Sequence, residues 1–423
     1  VLLTNQVDGF DPVLDGLISP VRDRLAVQLG SIPGLAAAEL AAISAAAADL
    51  LLDEARRKAT RVLVLEVNAA RVTGRLTAAD PRARWDEWVA QASQPGFWES
   101  LDGPYPGLLA RLRTVLNNRR RAALTLARRF SADRSALATL LPAGSGGEPP
   151  VLVEVSFGSG DSHRGGHTVA IVRCATGQVV YKPRSVAVDA ALGTLLRRLL
   201  PDEPAATRIR VPDVICRDGY GWAAHVAHQY CTDDQLGSFY RGLGHWLAVT
   251  RLLGGSDLHA ENVIAAGPVP VVVDCETLFT PQPPGPPSGY GLAVDRAVQQ
   301  LNDSVLRSGL LPGRGLSLGW RGVDMSAAGA LPGQQPAPLQ PVLRDAGTDR
   351  VRLGLERAPV PEAANHPTRE PVLRRYWELV LAAFLELTAR LQGADAAGEL
   401  AEALAPFADL PVRLVLRDTE VYA

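Results

Sequence analysis

The chain has 423 residues, 47% of them hydrophobic, enough for a large core and two or three domains. Its 43 basic and 45 acidic residues are interspersed and leave a formal charge of −2, which excludes the extended positive field of a nucleic-acid binder. Even the Ala-rich run Leu35 to Leu52 is broken by Glu39 and Asp49, so no membrane-spanning helix is expected.

The four cysteines, Cys174, Cys216, Cys231 and Cys275, form no C-x-x-C pair, which suits a soluble protein in the reducing cytoplasm. The chain starts at Val1, its sole methionine is Met325, and no charged segment followed by an apolar run opens it. A piece of a longer protein is expected. Only two lysines, Lys58 and Lys182, stand among the 43 basic residues, so a retained lysine points to a task for a compact ammonium rather than a planar guanidinium.

Residues 1 to about 140 predict helices, with apolar positions three and four apart in Leu35 to Leu52, Arg82 to Ala92 and Gly107 to Leu126. Asp80-Pro81 reads as an N-cap followed by proline at the first helical position. The Gly- and Pro-rich stretch Pro142 to Pro150 is the best linker, dividing a helical region, 1–145, from a second domain, 146–423. Beyond it come predicted strands at Val151 to Phe157, His167 to Cys174 and Gln178 to Lys182, the last two joined by Ala175-Thr176-Gly177. A helix at Val186 to Leu200, strands near Val211 to Cys216 and Trp222 to His228, a helix at Gln235 to Leu253 and a strand at Val269 to Val273 follow. Pro281 to Gly289 and Leu331 to Pro341 read as loops, and Val372 to Leu391 as a helix. The fold class expected is α+β.

The chemistry concentrates between Gly254 and Phe279. Asp257 and Asn262, in Ser256-Asp-Leu-His-Ala-Glu-Asn262, stand five residues apart, the offset between the Asp and the metal-binding Asn of a kinase catalytic loop. Twelve residues on, past Gly267-Pro268 and an apolar strand, comes Asp274, placed as a second metal ligand. Each residue alone reads more simply as a turn cap or a strand end; the combination points to phosphoryl transfer. If strand geometry continues past Asp274, Glu276 lies on its side and reaches metal or phosphates. The segment Gly158 to Gly166 is Gly-rich and precedes a hairpin that closes on Lys182, the candidate cation for nucleotide phosphates. No G-x-x-x-x-G-K-[ST] occurs, which excludes a P-loop NTPase.

A series of motifs then falls in the order of a known family: Asn68-Ala-Ala-Arg71 with Gly74-Arg-Leu76, Gly160-Asp-Ser-His163, Val180-Tyr-Lys-Pro-Arg-Ser185, Tyr220-Gly-Trp222, Asp257-Leu-His-Ala-Glu-Asn262, Asp274-Cys-Glu-Thr-Leu-Phe279, Gly309-Leu-Leu-Pro312 and Arg417-Asp-Thr-Glu-Val-Tyr422. From about residue 60 to the end the chain resembles the dehydratase domain of class II (LanM-type) lanthipeptide synthetases. The resemblance implies a kinase-like bilobal core, with an N-lobe about 146–232 and a C-lobe about 233–423, incomplete at its end and lacking the cyclase domain. It also implies ATP- and Mg2+-dependent phosphorylation of Ser and Thr in a leader-bearing precursor peptide, then elimination to dehydroalanine and dehydrobutyrine.

By motif position, Lys182, Asp257, His259, Asn262, Asp274 and Glu276 fall where the family places phosphorylation residues. Arg413 and Thr419 match an Arg and a Thr of the elimination step, and Asp161 and His163 a pair near the active site, with His163 a candidate proton-transfer group. On residue pattern alone, Val412 to Thr419 reads as a solvated strand face, so that assignment rests on the resemblance. The chain departs from the family at Ala224, where Glu is common, and at Asp418, where Pro or a small residue is usual. Two alternatives stay open at this point: a peptide or small-molecule kinase that stops at the phosphorylated product, and an inactive fragment that only binds peptide.

Overall fold

The computed structural model describes residues 9–142, 149–158, 164–281, 287–313, 322–329, 334–370 and 372–414. In chain order the helices are α1 (Asp11–Leu29), α2 (Ala37–Val72), α3 (Pro81–Ala92), α4 (Phe97–Ser100), α5 (Leu108–Leu137), α6 (Ala187–Leu199), α7 (Leu236–Leu252), α8 (Leu292–Asn302), α9 (Leu373–Ala396) and α10 (Glu399–Leu404). The strands are β1 (Leu152–Phe157), β2 (Ala170–Cys174), β3 (Gly177–Lys182), β4 (Val214–Arg217), β5 (Tyr220–Ala224), β6 (Val263–Ala266), β7 (Val269–Val272), β8 (Leu339–Arg344) and β9 (Arg352–Arg357). Helices and small antiparallel sheets make this an α+β chain. It divides into two compact units, one of Val1–Arg184, Gly219–Ala223 and Leu339–Arg357, the other of Ser185–Asp218, Ala224–Pro338 and Ala358–Ala423.

In the first unit α1, α2, α3 and α5 share one core, to which Leu343 and Val351 of the β8–β9 ribbon contribute. Helix α1 runs through Pro20 because Val13, Leu14, Leu17, Ile18, Val21 and Leu25 keep a helical spacing and are all buried, which outweighs the bond proline removes. Phe10, Trp88, Phe97 and Trp98 pack edge to face in a chain, Trp85 lies tilted against Phe10, and the Trp98 indole donates to the Val13 carbonyl at 3.1 Å. As the sequence predicts, Asp80 caps α3, accepting from the Arg82 and Ala83 N–H groups. The strands stand in the order β1-β2-β3-β5, and β2 and β3 pair from Ala170↔Tyr181 to Cys174↔Gly177.

Buried charges tie this sheet to the helices. Glu39, fully buried on α2, accepts from the Leu152 N–H of β1 at 2.8 Å, from the Ala36 N–H at 2.8 Å and from Arg134 of α5 at 2.7 Å. Asp133 accepts from the Trp222 indole at 2.9 Å and the Tyr220 hydroxyl at 2.8 Å, so the Tyr-Gly-Trp motif docks β5 on α5. Glu54 accepts two bonds from Arg119, whose third donor reaches the Gly166 carbonyl at 2.6 Å. The early motif is structural too. Asn68 donates to the Val351 carbonyl and Arg71 to that of Asp349, while the buried Asp349 carboxylate accepts from Arg84 at 2.6 Å. Together they seat the turn of the β8–β9 ribbon.

The second unit is built around α7. Trp246, Leu243 and Val249 lie in a core with α6, α9, α10 and the β6–β7 hairpin, and the Trp246 indole donates to the Pro270 carbonyl at 2.7 Å. Two glycines of α7 permit close approach: a Cβ at Gly242 would meet the Pro270 ring at 2.8 Å, and one at Gly244 would meet the Val380 carbonyl oxygen at 2.3 Å. On the same helix pair Tyr240 stacks on Tyr376, their rings 4.9 Å apart.

Burial pulls the Glu39 carboxyl up, but the Arg134 hydrogen bond, the Ala36 and Leu152 N–H groups and the Arg134 charge outweigh it and hold the group below its ordinary value. A depressed carboxyl stabilises the fold above its ordinary value and loses that contribution as pH falls through its folded value. Glu39→Gln is expected to cost about 2–3 kcal/mol near neutral pH. The gap between wild type and variant should close under acid conditions, read by urea denaturation across pH. Gly244→Ala, which puts a methyl against backbone rather than a movable side chain, should cost about 1–3 kcal/mol in the same assay.

Candidate functional site

Helix α7 ends at Leu252, and Gly254 turns the chain in a left-handed conformation, φ 58°, with the Gly255 N–H donating back to the Thr250 carbonyl at 2.8 Å. The segment that follows is pinned from several sides. Leu258 is buried, and its N–H donates to the Ser308 carbonyl at 2.8 Å. The Ala260 N–H donates to the Met325 carbonyl at 2.8 Å, and the Thr277 hydroxyl to the Ser256 carbonyl at 2.5 Å. Gly309, at φ 81°, passes so close that a Cβ would lie 3.2 Å from the Leu258 backbone, which accounts for the glycine of the Gly-Leu-Leu-Pro motif.

Between these anchors Asp257 adopts φ 65°, one of three non-glycine residues with positive φ among the described residues. Asp tolerates this conformation better than most residues, yet it remains strained, and such strain gathers at functional sites. Its side chain is half-exposed, with a carboxylate oxygen 3.6 Å from His259 Nε2. Asn262 holds the turn from inside, its Nδ2 donating to the Asp257 carbonyl at 2.7 Å and its backbone N–H to the His259 carbonyl at 3.0 Å. Spending the amide nitrogen on that carbonyl orients the amide oxygen away from it, as a ligand oxygen requires.

The β6–β7 hairpin brings the remaining groups to the same place. Its register pairs Val263 with Val272, and one step further the Val273 N–H donates to the Asn262 carbonyl at 2.9 Å. Asn262 and Asp274 therefore sit at one end of one hairpin. Strand geometry does not continue past Asp274 as the sequence suggested. Asp274 Oδ1 accepts the Glu276 N–H at 3.1 Å and bends the chain into a turn. A carboxylate offers about four lone-pair sites, so accepting that N–H is compatible with binding a cation.

That bend carries Glu276 to Arg413. Their side chains pair at 2.5 Å, and the Arg413 N–H donates to the Glu276 carbonyl at 2.7 Å. Both were sequence candidates, but 137 residues separate them and no local pattern connects them. The structure thus assembles Asp257, His259, Asn262, Asp274, Glu276 and Arg413 within the second unit, whereas Lys182 lies buried at the end of β3 in the first. Asp161, His163 and Thr419 lie outside the described residues. The supports that sequence reasoning missed, the Ser308 carbonyl and Thr277, are backbone or small hydroxyl groups, and only Thr277, inside the Asp-Cys-Glu-Thr motif, carries a signal.

Among the described residues no three His, Cys, Asp or Glu side chains cluster as metal ligands do, and no helix is long and apolar enough to cross a membrane. A family model described as a domain of unknown function, DUF4135, matches residues 105–423. The chain belongs to the DUF4135 family. The family's span runs from just before α5 to the end and includes every residue of the assembled site. The chain is also similar to the lacticin 481/lactococcin biosynthesis protein LcnDR2 of Lactococcus lactis subsp. lactis, at 25% identity over 271 residues. That alignment covers 60% of this chain and 28% of the relative, so the chain spans well under half the relative's length. Family membership and this likeness support the LanM-type resemblance carried by the motifs.

The left-handed turn makes a specific demand on residue 257. Asp257→Ala should cost about 1–2 kcal/mol, while Asp257→Asn and Asp257→Gly should stay within about half of that, measured by denaturant midpoints.

Proposed function

We propose that this DUF4135 region is the dehydratase part of a class II lanthipeptide synthetase. It phosphorylates Ser and Thr side chains of a leader-bearing precursor peptide with ATP and Mg2+, and then eliminates the phosphate. The observation that carries the reading is the meeting of Asn262 and Asp274 at one end of the β6–β7 hairpin, beside Asp257 in its strained turn.

The donor set fits the metal. Mg2+ is a hard cation that keeps waters and takes one or two protein oxygens together with substrate phosphates, so an amide oxygen and a carboxylate suffice without a cluster of three acidic groups. Asn262 and Asp274 would hold it, and when bound it neutralises charge on the transferring phosphoryl group. The chain's own residues do the rest. Asp257 orients the acceptor hydroxyl and accepts its proton as that oxygen bonds to the γ-phosphorus and the bond to ADP breaks. Lys182 is assigned to the nucleotide phosphates by motif position alone, as a compact ammonium rather than a planar fork.

In the second step a base takes the Cα proton, the C–H electron pair becomes the Cα=Cβ double bond, and the Cβ–O bond breaks with its electrons leaving on phosphate. Arg413 supplies the planar fork that binds phosphate oxygens in pairs, with Thr419 alongside by motif position. Asp161 and His163 are assigned near this step, with His163 the candidate base.

The test is mass spectrometry of a precursor peptide incubated with the full-length protein, ATP and Mg2+. Loss of one water per modified residue is expected. Gain of phosphate without water loss would identify a kinase that stops early, and an unchanged peptide would refute the reading. Asp257→Asn, which preserves the turn, should slow phosphorylation by about 10²- to 10⁴-fold.

A further inference from the structure

The Glu276–Arg413 pair joins a residue of the phosphorylation motif to one assigned to elimination. The contact is made twice. Side chains meet at 2.5 Å, and the Arg413 N–H donates to the Glu276 carbonyl at 2.7 Å, so the two short stretches of backbone run against each other. Both side chains are largely withdrawn from water, Glu276 at 11% exposure and Arg413 at 29%, which makes the interaction less screened than a surface pair. Glu276 is itself fixed by its N–H bond to Asp274 Oδ1. A continuous path of bonds therefore runs from the proposed metal ligand Asp274, through Glu276, to the guanidinium of Arg413.

We propose that Glu276 is the positioning residue for Arg413, holding the guanidinium beside the end of the β6–β7 hairpin so that elimination takes place where phosphorylation has just occurred. A long arginine side chain loses much rotamer freedom when held in one place. The carboxylate sets that orientation before substrate arrives, so the planar fork meets phosphate already aligned. The phosphorylated side chain then stays at one site. The Cα proton goes to the base, the Cβ–O pair leaves on phosphate, and the departing charge meets a cation whose place is set by the residue two positions after Asp274. The inference rests on the dehydratase reading, and it adds an elimination role for Glu276 that is separate from any contact it makes during phosphorylation.

A pre-phosphorylated precursor peptide isolates the second step. Incubated with the full-length wild-type protein and ADP with Mg2+, it should lose phosphate. Failure of this control defeats the dehydratase reading itself and the proposal with it. Given elimination by the wild type, Glu276→Gln should slow it at least tenfold, as should Arg413→Gln, and the double variant should be no slower than the slower single variant. Multiplying effects, or a Glu276→Gln rate within twofold of wild type, would overturn the proposal.

Glu276→Asp, which keeps the charge on a shorter arm, should recover part of the rate that Glu276→Gln loses. A merely structural role would instead lower the melting temperature and the rate together. Should Glu276→Gln fail to fold, Glu276→Asp and Arg413→Lys with their double variant run the same cycle, and multiplying effects there overturn the proposal equally.

Discussion

One side-chain amide organises the site. Asn262 Nδ2 donates to the carbonyl of Asp257, and that single bond closes a turn whose first residue would otherwise leave its left-handed conformation at little cost. Because Asn262 is also the residue from which β6 departs, the same bond fixes the start of the hairpin that returns as Asp274. Replacing the amide by an apolar group would leave the Asp257 carbonyl without this donor and, on the proposed function, remove an oxygen assigned to the metal. The five-residue offset between Asp and Asn is therefore a distance set by the turn.

Much of the fold was legible from periodicity. The strands ending at Phe157, Cys174 and Lys182 and the helices around Ala187–Leu199 and Leu236–Leu252 lie where alternating and helical spacings put them. The missed strand has a physical cause. Pro341 closes a stretch read as a loop, yet it stands inside β8, held by a partner strand eight to eighteen residues away in register. Tertiary burial overrode local preference, which one sequence window cannot weigh.

The site was legible in a different way. Asp257, Asn262 and Asp274 followed from spacing because one turn and the hairpin after it carry them, so their geometry is local. The tie between Glu276 and Arg413 is not local, and the resemblance placed both residues without indicating that they touch. Several motif residues proved to be scaffolding. Asn68, Arg71, Tyr220 and Trp222 spend their donors on Val351, Asp349 and Asp133, which shows that a motif can persist because buried polar groups need partners as readily as because substrate does.

The first unit is assembled from three separated stretches of chain, the last of them Leu339–Arg357. Asn68 waits for a partner, the Val351 carbonyl, that lies 283 residues further on. During synthesis from the N-terminus, α2 and α3 emerge long before the ribbon that adds Leu343 and Val351 to their core. Ser185–Asp218 and Ala224–Pro338 of the second unit pass through the exit tunnel in between. At about 5–20 residues per second, the helical bundle spends on the order of ten seconds or more with an uncovered apolar seam. Folding of this unit is a long-range closure, and the nascent bundle is the species on which a holding chaperone would act.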